Sequence, residues 1–203
     1  DVAVGEVAVT AAQADAKVEH ELREIAPPAR TVEQVSAAEE FALAAKICTQ
    51  GRAAVMNMFH EARMGNTVGT ESAQQLVEDI SLSISRNPNA LISLARLKTA
   101  DDYTFMHSVA VCAMMIALAR QLGLDDAQTR SAGVAGLLHD LGKAVMPMDV
   151  LNKPGKLTDA EFAIIRTHPT EGYKMLMASQ GVDAVSLDVV LHQQAISPPN
   201  QRH

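Results

Sequence analysis

Apolar side chains recur at helical spacing along most of the chain. Over residues 33–63 they fall every three or four positions, which predicts a long amphipathic helix with a stop at Gly65 and a candidate break near Gly51. The same period predicts a second helix over residues 70–86, and Pro88 stands where a third, shorter helix can begin. The first half of the chain is therefore expected to be helical.

Capping residues mark further helices in the second half. Asp125 or Asp126 can cap the helix that carries a His-Asp pair near its end, and Thr158 with Glu161 three residues later forms a capping-box pattern. Asp183 can cap the last helix. The predicted segments are residues 103–122, residues 127 to about 141 with Gly142 as the end, a helix from 158, one from 168 to 181, and one after 183.

The composition suits a protein built only from helices. Hydrophobic residues make up 48% of the 203, enough for a real core, while aromatic residues make up 3% and Trp is absent. Ala, Val, Leu, Ile and Met can fill helical cores without large rings. We expect an all-α fold in three parts: residues 1–30 as a linker or a remnant of a preceding domain, residues 31–97 as N-terminal helices, and residues 98–203 as the main helical domain.

The charge balance restricts the partners and the location. The formal net charge is -7, so no broad basic surface exists to neutralise a nucleic-acid polymer or an anionic membrane, and a phosphate ligand must be held locally. The longest uncharged apolar run, residues 109–119, is shorter than the roughly 20 residues that cross a bilayer, and residues 1–10 lack the features of a secretory signal. Cys48 and Cys112 lack metal-type spacing, so we expect buried thiols in a reducing, cytoplasmic compartment.

The dipeptide His139-Asp140 is the leading candidate for chemistry. It closes a Gly- and Leu-rich helix, and Lys143 follows at a spacing that places it on the same face. Imidazole nitrogen and carboxylate oxygen suit divalent transition metals, and Asp140 can bridge two of them. Two such ions can clamp a phosphodiester and generate hydroxide from water, while Lys143 neutralises charge on the phosphoryl oxygens. The alternative for Lys143 is a surface lysine that favours a helix C-terminus.

His107 poses the main ambiguity. On the helix over residues 103–122 it shares one stripe with apolar residues, which predicts a core-facing position. A buried histidine satisfied by a hydrogen bond is the alternative to a metal ligand. The stripe consists of Val111, Met114 and Leu118. Three further histidines at or near helix ends make coincidence a weaker explanation, namely His139, His168 and His192.

Four segments resemble successive signatures of the HD-GYP family in order and spacing. They are residues 103–109 (Tyr-Thr-Phe-Met-His-Ser-Val), residues 137–143 (Leu-Leu-His-Asp-Leu-Gly-Lys), residues 151–158 (Leu-Asn-Lys-Pro-Gly-Lys-Leu-Thr) and residues 167–169 (Thr-His-Pro). The similarity covers roughly residues 31 to 192. It implies an HD-domain-like helical bundle with extra N-terminal helices, and a hydrolase that opens the bacterial second messenger cyclic di-GMP.

The resemblance also implies a metal centre and its ligands. Family members hold two or three ions, often iron or manganese. Here one or two divalent transition-metal ions are expected, Fe or Mn first and Zn as a further option. Lys143 matches the family lysine beside the bridging water, and with Asp140 it is expected to be catalytic. The matching ligand positions are His107, His139, Asp140, His168 and His192.

The C-terminal end departs from the family pattern. Gln193 replaces an expected ligand after His192, and the Gly-Tyr-Pro segment of the family is absent because the sequence ends at His203. The chain also lacks an initial Met, so a truncated product of an active ancestor is one expectation. The alternatives are a catalytically inactive HD-type signalling or interaction module, and a helical bundle without metal.

The expected partner is a cyclic dinucleotide, cyclic di-GMP, either as the substrate of an active enzyme or as the ligand of an inactive one. No nucleic-acid polymer and no membrane is expected to bind. Long helices with an apolar stripe often pair with one another, so a homodimer through the N-terminal helices is a further hypothesis.

Overall fold

The computed structural model describes residues 36–96 and 103–193, and the regular elements within these two ranges are all helical. This confirms the all-α prediction. The predicted linker and the predicted boundaries after residues 30 and 97 lie outside the described residues. The elements are α1 Ala37–Arg63, α2 Glu71–Arg86, α3 Pro88–Arg96, α4 Tyr103–Gln121, α5 Asp126–Leu138, a 3-10 helix Leu141–Val145, α6 Met148–Leu151, α7 Asp159–Ile165, α8 His168–Met177 and α9 Ala184–His192.

Helix α1 is continuous, so the predicted break near Gly51 is wrong. Ser36 and Glu39 form a capping box at its start, and Gly65, with a φ of 73°, follows its end. A Cβ atom at Gly51 would lie 3.0 Å from Cγ2 of Val109. The glycine therefore allows α1 to pack close to α4, and it does not bend the helix.

Helix α5 ends earlier than its sequence pattern predicts. Asp125 and Gln128 form the capping box at its start, so Asp125 is the cap of the two candidates. The helix ends at Leu138 instead of about residue 141, and His139 is its C-cap residue with helical backbone angles. The chain then tightens into the 3-10 helix, so the His-Asp pair lies at the joint between two helical segments.

Two glycines let α5 pack tightly on its neighbours. A Cβ atom at Gly133 would lie 2.8 Å from Cγ1 of Val77, and one at Gly136 would lie 3.1 Å from Cα of Cys112. A larger residue at either position would force these helices apart. The close packing brings the C-terminal end of α5 next to α4, the helix that carries His107.

The main hydrophobic cluster joins helices from both halves of the chain, with members such as Ile80 of α2, Ile116 of α4 and Leu137 of α5. Cys112 is buried and Cys48 is half-buried, and both are free thiols. Burial raises the pKa of both, that of Cys48 to about 11, so both are neutral parts of the packing at neutral pH. Within the described ranges, no helix combines the length and the apolar character that a membrane crossing needs.

Helix α7 begins with the predicted capping box. The side chain of Thr158 accepts from the backbone N–H of Glu161, and the Glu161 carboxylate accepts from the backbone N–H of Thr158 at 2.7 Å. Nζ of Lys153 donates to the two oxygens of the same carboxylate at 2.8 and 2.6 Å. These contacts hold the turn that connects α6 to α7.

Candidate metal centre

Four side chains converge on the buried carboxylate of Asp140, which is 3% exposed. Its Oδ2 lies 2.7 Å from Nζ of Lys143, 3.2 Å from Nε2 of His139 and 3.8 Å from Nε2 of His107. Its Oδ1 lies 3.3 Å from Nε2 of His168. The structure therefore brings together five of the six predicted site residues, from α4, the end of α5, the 3-10 helix and the start of α8.

The ring nitrogens of two histidines have distinct partners. Nδ1 of His139 lies 2.8 Å from the carbonyl oxygen of Gly136, and Nδ1 of His168 lies 2.7 Å from that of Ile165. A carbonyl oxygen only accepts hydrogen bonds, so Nδ1 carries the proton in each ring and donates it. Nε2 of each ring is then the nitrogen that faces Asp140, and an imidazole with its proton on Nδ1 binds a metal ion through Nε2.

This donor set fits divalent metal ions. Nε2 of His168 is buried and has no hydrogen-bond partner among the described residues, which is costly for a polar atom. Ligand atoms of His107, His139 and Asp140 lie within 4.8 Å of one another. Two ligand atoms about 2.1 Å from one ion are roughly 3.0 to 3.4 Å apart, and the contacts of His139 and His168 with the carboxylate, 3.2 and 3.3 Å, fall in that range. A cation among these groups would satisfy the lone pairs that face one another.

Asp140 is ionised in spite of its burial. Burial by itself raises the pKa of this carboxyl group, but hydrogen bonds from His139 and His168 when Nε2 of these rings carries a proton, together with the charge of Lys143, favour the charged form more strongly. The pKa of Asp140 therefore lies well below its usual range. A buried carboxylate that stays charged at neutral pH is suited to bridge cations.

A pair of glycines allows α8 to reach the 3-10 helix. A Cβ atom at Gly142 would lie 1.9 Å from the carbonyl oxygen of His168 and 2.6 Å from the backbone nitrogen of Gly172. Any side chain at Gly142 would therefore push α8, and His168 with it, away from Asp140. The sequence pattern predicts Gly142 only as a helix end, and its place two residues after Asp140 is the one local signal of this packing role.

His107 reaches the centre from α4 with 33% of its side chain exposed. Its ring centroid lies 5.2 Å from that of His139, with 66° between the ring planes. The predicted core-facing stripe is wrong, because Met114 and Leu118 are 43% and 52% exposed. Helix α4 carries apolar residues on nearly all sides, so its sequence period does not separate the buried face from the exposed one.

His192, the last residue of α9, is not part of this cluster among the described residues. Its Nδ1 lies 3.0 Å from Oδ1 of Asp188, and 58% of its side chain is exposed. Nε2 of the neighbouring Gln193 donates hydrogen bonds to the carbonyl oxygens of His139 and Val190. The end of α9 therefore lies beside the His-Asp pair, while the His192 ring turns to Asp188.

Known proteins match the part of the chain that holds this site. A model of the HD domain family matches residues 75–197, more than half of the chain. A cyclic di-GMP phosphodiesterase of Pseudomonas aeruginosa is 56% identical over 159 residues, which is 78% of this chain and 38% of that protein. The cyclic di-GMP phosphodiesterase response regulator RpfG of Xanthomonas campestris is 32% identical over 134 residues, 59% of this chain and 35% of that protein. A 3'3'-cGAMP-specific phosphodiesterase of Vibrio cholerae is 36% identical over 84 residues, 41% of this chain and 20% of that protein.

The chain thus spans less than two fifths of the length of these relatives. No solved structure matches it. The region matched by the HD model includes Asp140 and the side chains that converge on it. With the signature segments in their order, these matches show that the chain belongs to the HD domain family and contains an HD-GYP-type domain.

Proposed function

We propose that this chain carries the metal centre of a phosphodiesterase that hydrolyses a cyclic dinucleotide, with cyclic di-GMP as the first candidate substrate. The observation that carries the proposal is the buried, ionised Asp140 with imidazole nitrogens facing both of its oxygens. The relatives named above act on cyclic di-GMP or on 3'3'-cGAMP, which supports a cyclic dinucleotide as the substrate class.

Asp140 would hold divalent ions together with the imidazoles that face its two oxygens. Its Oδ2 faces His139 and His107 and its Oδ1 faces His168, so the carboxylate divides the three imidazoles between two positions. Nitrogen and oxygen donors of this kind suit iron or manganese, and zinc is a further option. Divalent ions in such a site supply Lewis-acid chemistry toward a phosphodiester and lower the pKa of water.

Lys143 supplies positive charge at the rim of the site. Its Nζ donates to Oδ2 of Asp140 at 2.7 Å, and 29% of its side chain is exposed. An ammonium group has three donors, so it can keep this bond and also donate to a phosphoryl oxygen of a bound dinucleotide. We assign Lys143 to the neutralisation of negative charge that builds on the phosphodiester during hydrolysis.

His192 is proposed as a further ligand, although its ring contacts Asp188 in this structure. Gln193 holds the end of α9 on the carbonyl oxygen of His139, which keeps His192 near the centre. Weaker binding of Mn²⁺ by His192→Ala would support this role. Unchanged binding would remove His192 from the ligand set.

An inactive signalling or interaction module is the second candidate function, and Gln193 favours it. Its Nε2 donates to the carbonyl oxygens of His139 and Val190. A neutral amide is a weaker metal donor than imidazole, so the centre has one strong ligand fewer on this side. In this alternative the chain binds a cyclic dinucleotide or a protein partner without turnover.

The location and the assembly state are also proposals. Cys48 and Cys112 are unpaired, which is typical of proteins from a reducing compartment, so we place the chain in the cytoplasm. Phe41 and Met56 of α1 are 43% and 41% exposed, which supports a homodimer through the N-terminal helices. Analytical ultracentrifugation of the wild type and of Phe41→Ser would test that dimer, since the substitution should weaken it.

The enzyme proposal is tested on the purified chain after chelation and reloading with Mn²⁺ or Fe²⁺. The chain is incubated with cyclic di-GMP or 3'3'-cGAMP, linear dinucleotide is measured by chromatography, and bound metal is measured by plasma mass spectrometry. Asp140→Asn and His168→Ala should lose bound metal and turnover together. Arg130→Met, a change at an exposed ion pair with Glu78, should keep both.

Two other results have defined meanings. Metal binding without turnover in the wild type would support the inactive module. Less than about one metal ion per chain, with no turnover in added Mn²⁺ or Fe²⁺, would overturn the metal centre itself.

A further inference from the structure

The carbonyl oxygen of Ala144, one residue after Lys143, needs a hydrogen-bond donor that its own helix cannot supply. In a 3-10 helix the donor is the backbone N–H three residues later, and here that residue is Pro147, which has none. Met146 before the proline is extended, with a ψ of 149°, so the helix ends there. Because Ala144 is only 1% exposed, the carbonyl depends on a donor from elsewhere in the fold.

Arg63, the last residue of α1, supplies that donor. Its Nε lies 2.8 Å from the carbonyl oxygen of Ala144, across 81 residues of sequence. The chain turns away directly afterwards, because Gly65 has a φ of 73° and the N–H of Asn66 donates to the carbonyl oxygen of Glu61 at 3.0 Å. This turn fixes the C-terminal end of α1 and thus the point from which the arginine side chain extends.

The same 3-10 helix carries groups that meet at the metal centre. The backbone N–H of Lys143 donates to the carbonyl oxygen of Asp140 at 2.9 Å, and Nζ of Lys143 donates to the Asp140 carboxylate at 2.7 Å. The N–H of Met146 donates to the carbonyl oxygen of Lys143 at 3.2 Å. A donor that caps this short ladder at Ala144 therefore restrains the position of Lys143 relative to Asp140.

We propose that Arg63 is a positioning residue for the metal centre, a cap that α1 supplies to the end of the 3-10 helix. The effect of Arg63 on catalysis rests on the proposed function of the Asp140 site. Its effect on the structure of the 3-10 helix can be measured without turnover. Arg63 lies outside residues 75–197, the region that the HD domain model matches. The N-terminal helices thereby contribute directly to the geometry of a site whose signatures all lie later in the chain.

Two substitutions separate the hydrogen bond from the other properties of arginine. Glutamine places an amide nitrogen at the same number of bonds from Cα as Nε of arginine, whereas methionine has a similar length without a donor. Arg63→Gln should therefore preserve the cap, and Arg63→Met should remove it. Arg130→Met, at the exposed pair with Glu78, is the matched control for the loss of a surface arginine.

Hydrogen exchange of the metal-free chain of 203 residues is the first readout, measured by mass spectrometry on peptides that cover residues 141–147. Exchange there should be about three- to tenfold faster in Arg63→Met, the loss expected for one hydrogen bond, and at the wild-type rate in Arg63→Gln and Arg130→Met. Calorimetric titration with Mn²⁺ is the second readout, and Arg63→Met should bind it more weakly by a similar factor. Where cyclic di-GMP is turned over, kcat should fall in Arg63→Met by a larger factor than KM rises, because Lys143 neutralises charge that builds during hydrolysis and its displacement affects the transition state more than the bound substrate.

Equal exchange over residues 141–147 in the wild type and in Arg63→Met would overturn the proposal. Identical defects in Arg63→Gln and Arg63→Met would also overturn it, since charge or bulk and not the hydrogen bond would then be responsible. A wild-type chain that binds no Mn²⁺ would count against the proposed function instead, and the exchange comparison would still decide the role of Arg63.

Discussion

Two buried carboxylates, Glu40 in α1 and Asp140 after α5, have opposite surroundings. Glu40 is 0% exposed and Asp140 is 3% exposed, so neither is solvated to any extent. Glu40 is held by hydrogen-bond donors: Nε and a terminal nitrogen of Arg86 at 2.5 and 3.2 Å, and Oγ of Ser83 at 2.6 Å. Both of its oxygens are satisfied within the protein, and the cluster fastens α1 to α2.

Asp140 has a donor in Lys143, but His139 and His168 face it with Nε2 after their Nδ1–H groups donate to backbone carbonyls. Lone pairs that face a carboxylate repel it unless a cation lies between them or a ring takes up a proton. A buried carboxylate surrounded by donors is thus a structural ion pair, whereas one surrounded by ring lone pairs marks a cation site. This difference between Glu40 and Asp140 predicts different responses to substitution and to added metal.

Removal of Arg86, the hydrogen-bond donor to Glu40, should have the largest effect on the free energy of unfolding. Arg86→Met leaves Glu40 buried without its cation and should lower the free energy of unfolding by about 3–5 kcal/mol in urea denaturation. The double variant Glu40→Met with Arg86→Met should recover most of this loss, because no buried charge remains. Arg130→Met removes an exposed pair with Glu78 at 3.6 Å and should cost less than about 1 kcal/mol. An equally small cost for Arg86→Met would contradict the structural role of the pair.

Added Mn²⁺ should stabilise the fold through Asp140 and not through Glu40. At a free concentration of about a hundred times Kd, binding to the folded state alone adds about 2.7 kcal/mol to the free energy of unfolding. The thermal midpoint of the wild type should therefore rise with Mn²⁺, and that of Asp140→Asn should not, because the amide lacks the charge. The double variant Glu40→Met with Arg86→Met should keep the full rise. A rise in Asp140→Asn equal to that of the wild type would place the ion elsewhere.

Gly142→Ala tests whether His168 belongs to the cation site because of backbone packing. The added Cβ would lie 1.9 Å from the carbonyl oxygen of His168, so α8 must shift, at a cost of about 1–3 kcal/mol in urea denaturation together with weaker Mn²⁺ binding. Gly69→Ala is the control, because the nearest atom to its Cβ, Oε2 of Glu61, would be 3.9 Å away. Normal Mn²⁺ binding by Gly142→Ala would show that His168 is not part of the cation site.

Glu161 is a half-buried carboxylate, with 25% of its side chain exposed, and should show the smallest effect. Lys153, followed by Thr158, lowers the pKa of Glu161 from its ordinary 4.5 to about 2. Since the folded-state pKa is the lower one, these contacts contribute their full stability above about pH 4.5 and lose it as the pH falls toward 2. An NMR titration of the Glu161 side chain should show the low value, and Lys153→Met should raise it. Titration near 4.5 in the wild type would show that the contact does not form in solution.

Local sequence predicts the helices well where a cap or a stop residue marks them. The cap at Asp125, one of two candidates, and the capping box at Thr158 are confirmed, because a cap involves residues only three positions apart. The break at Gly51 and the buried stripe on α4 are wrong, since both depend on what packs against the helix. A glycine is tolerated in a helix when a neighbour must come close, and an all-apolar helix shows no period that reveals its exposed side.

The residue types and spacings around His139, Asp140 and Lys143 are sufficient to identify a candidate metal centre and its family resemblance. Only the packing decides which distant groups join it. His168 lies in the metal centre because Gly142, which has no side chain, lets α8 pack against the 3-10 helix. Arg63 donates to the carbonyl oxygen of Ala144 because α1 ends beside it. His192 has the matching position in the sequence, yet its ring contacts Asp188, which lies four residues earlier on the same helix. Contacts between residues far apart in sequence depend on helix positions set by the whole core, and short-range patterns carry no information about them.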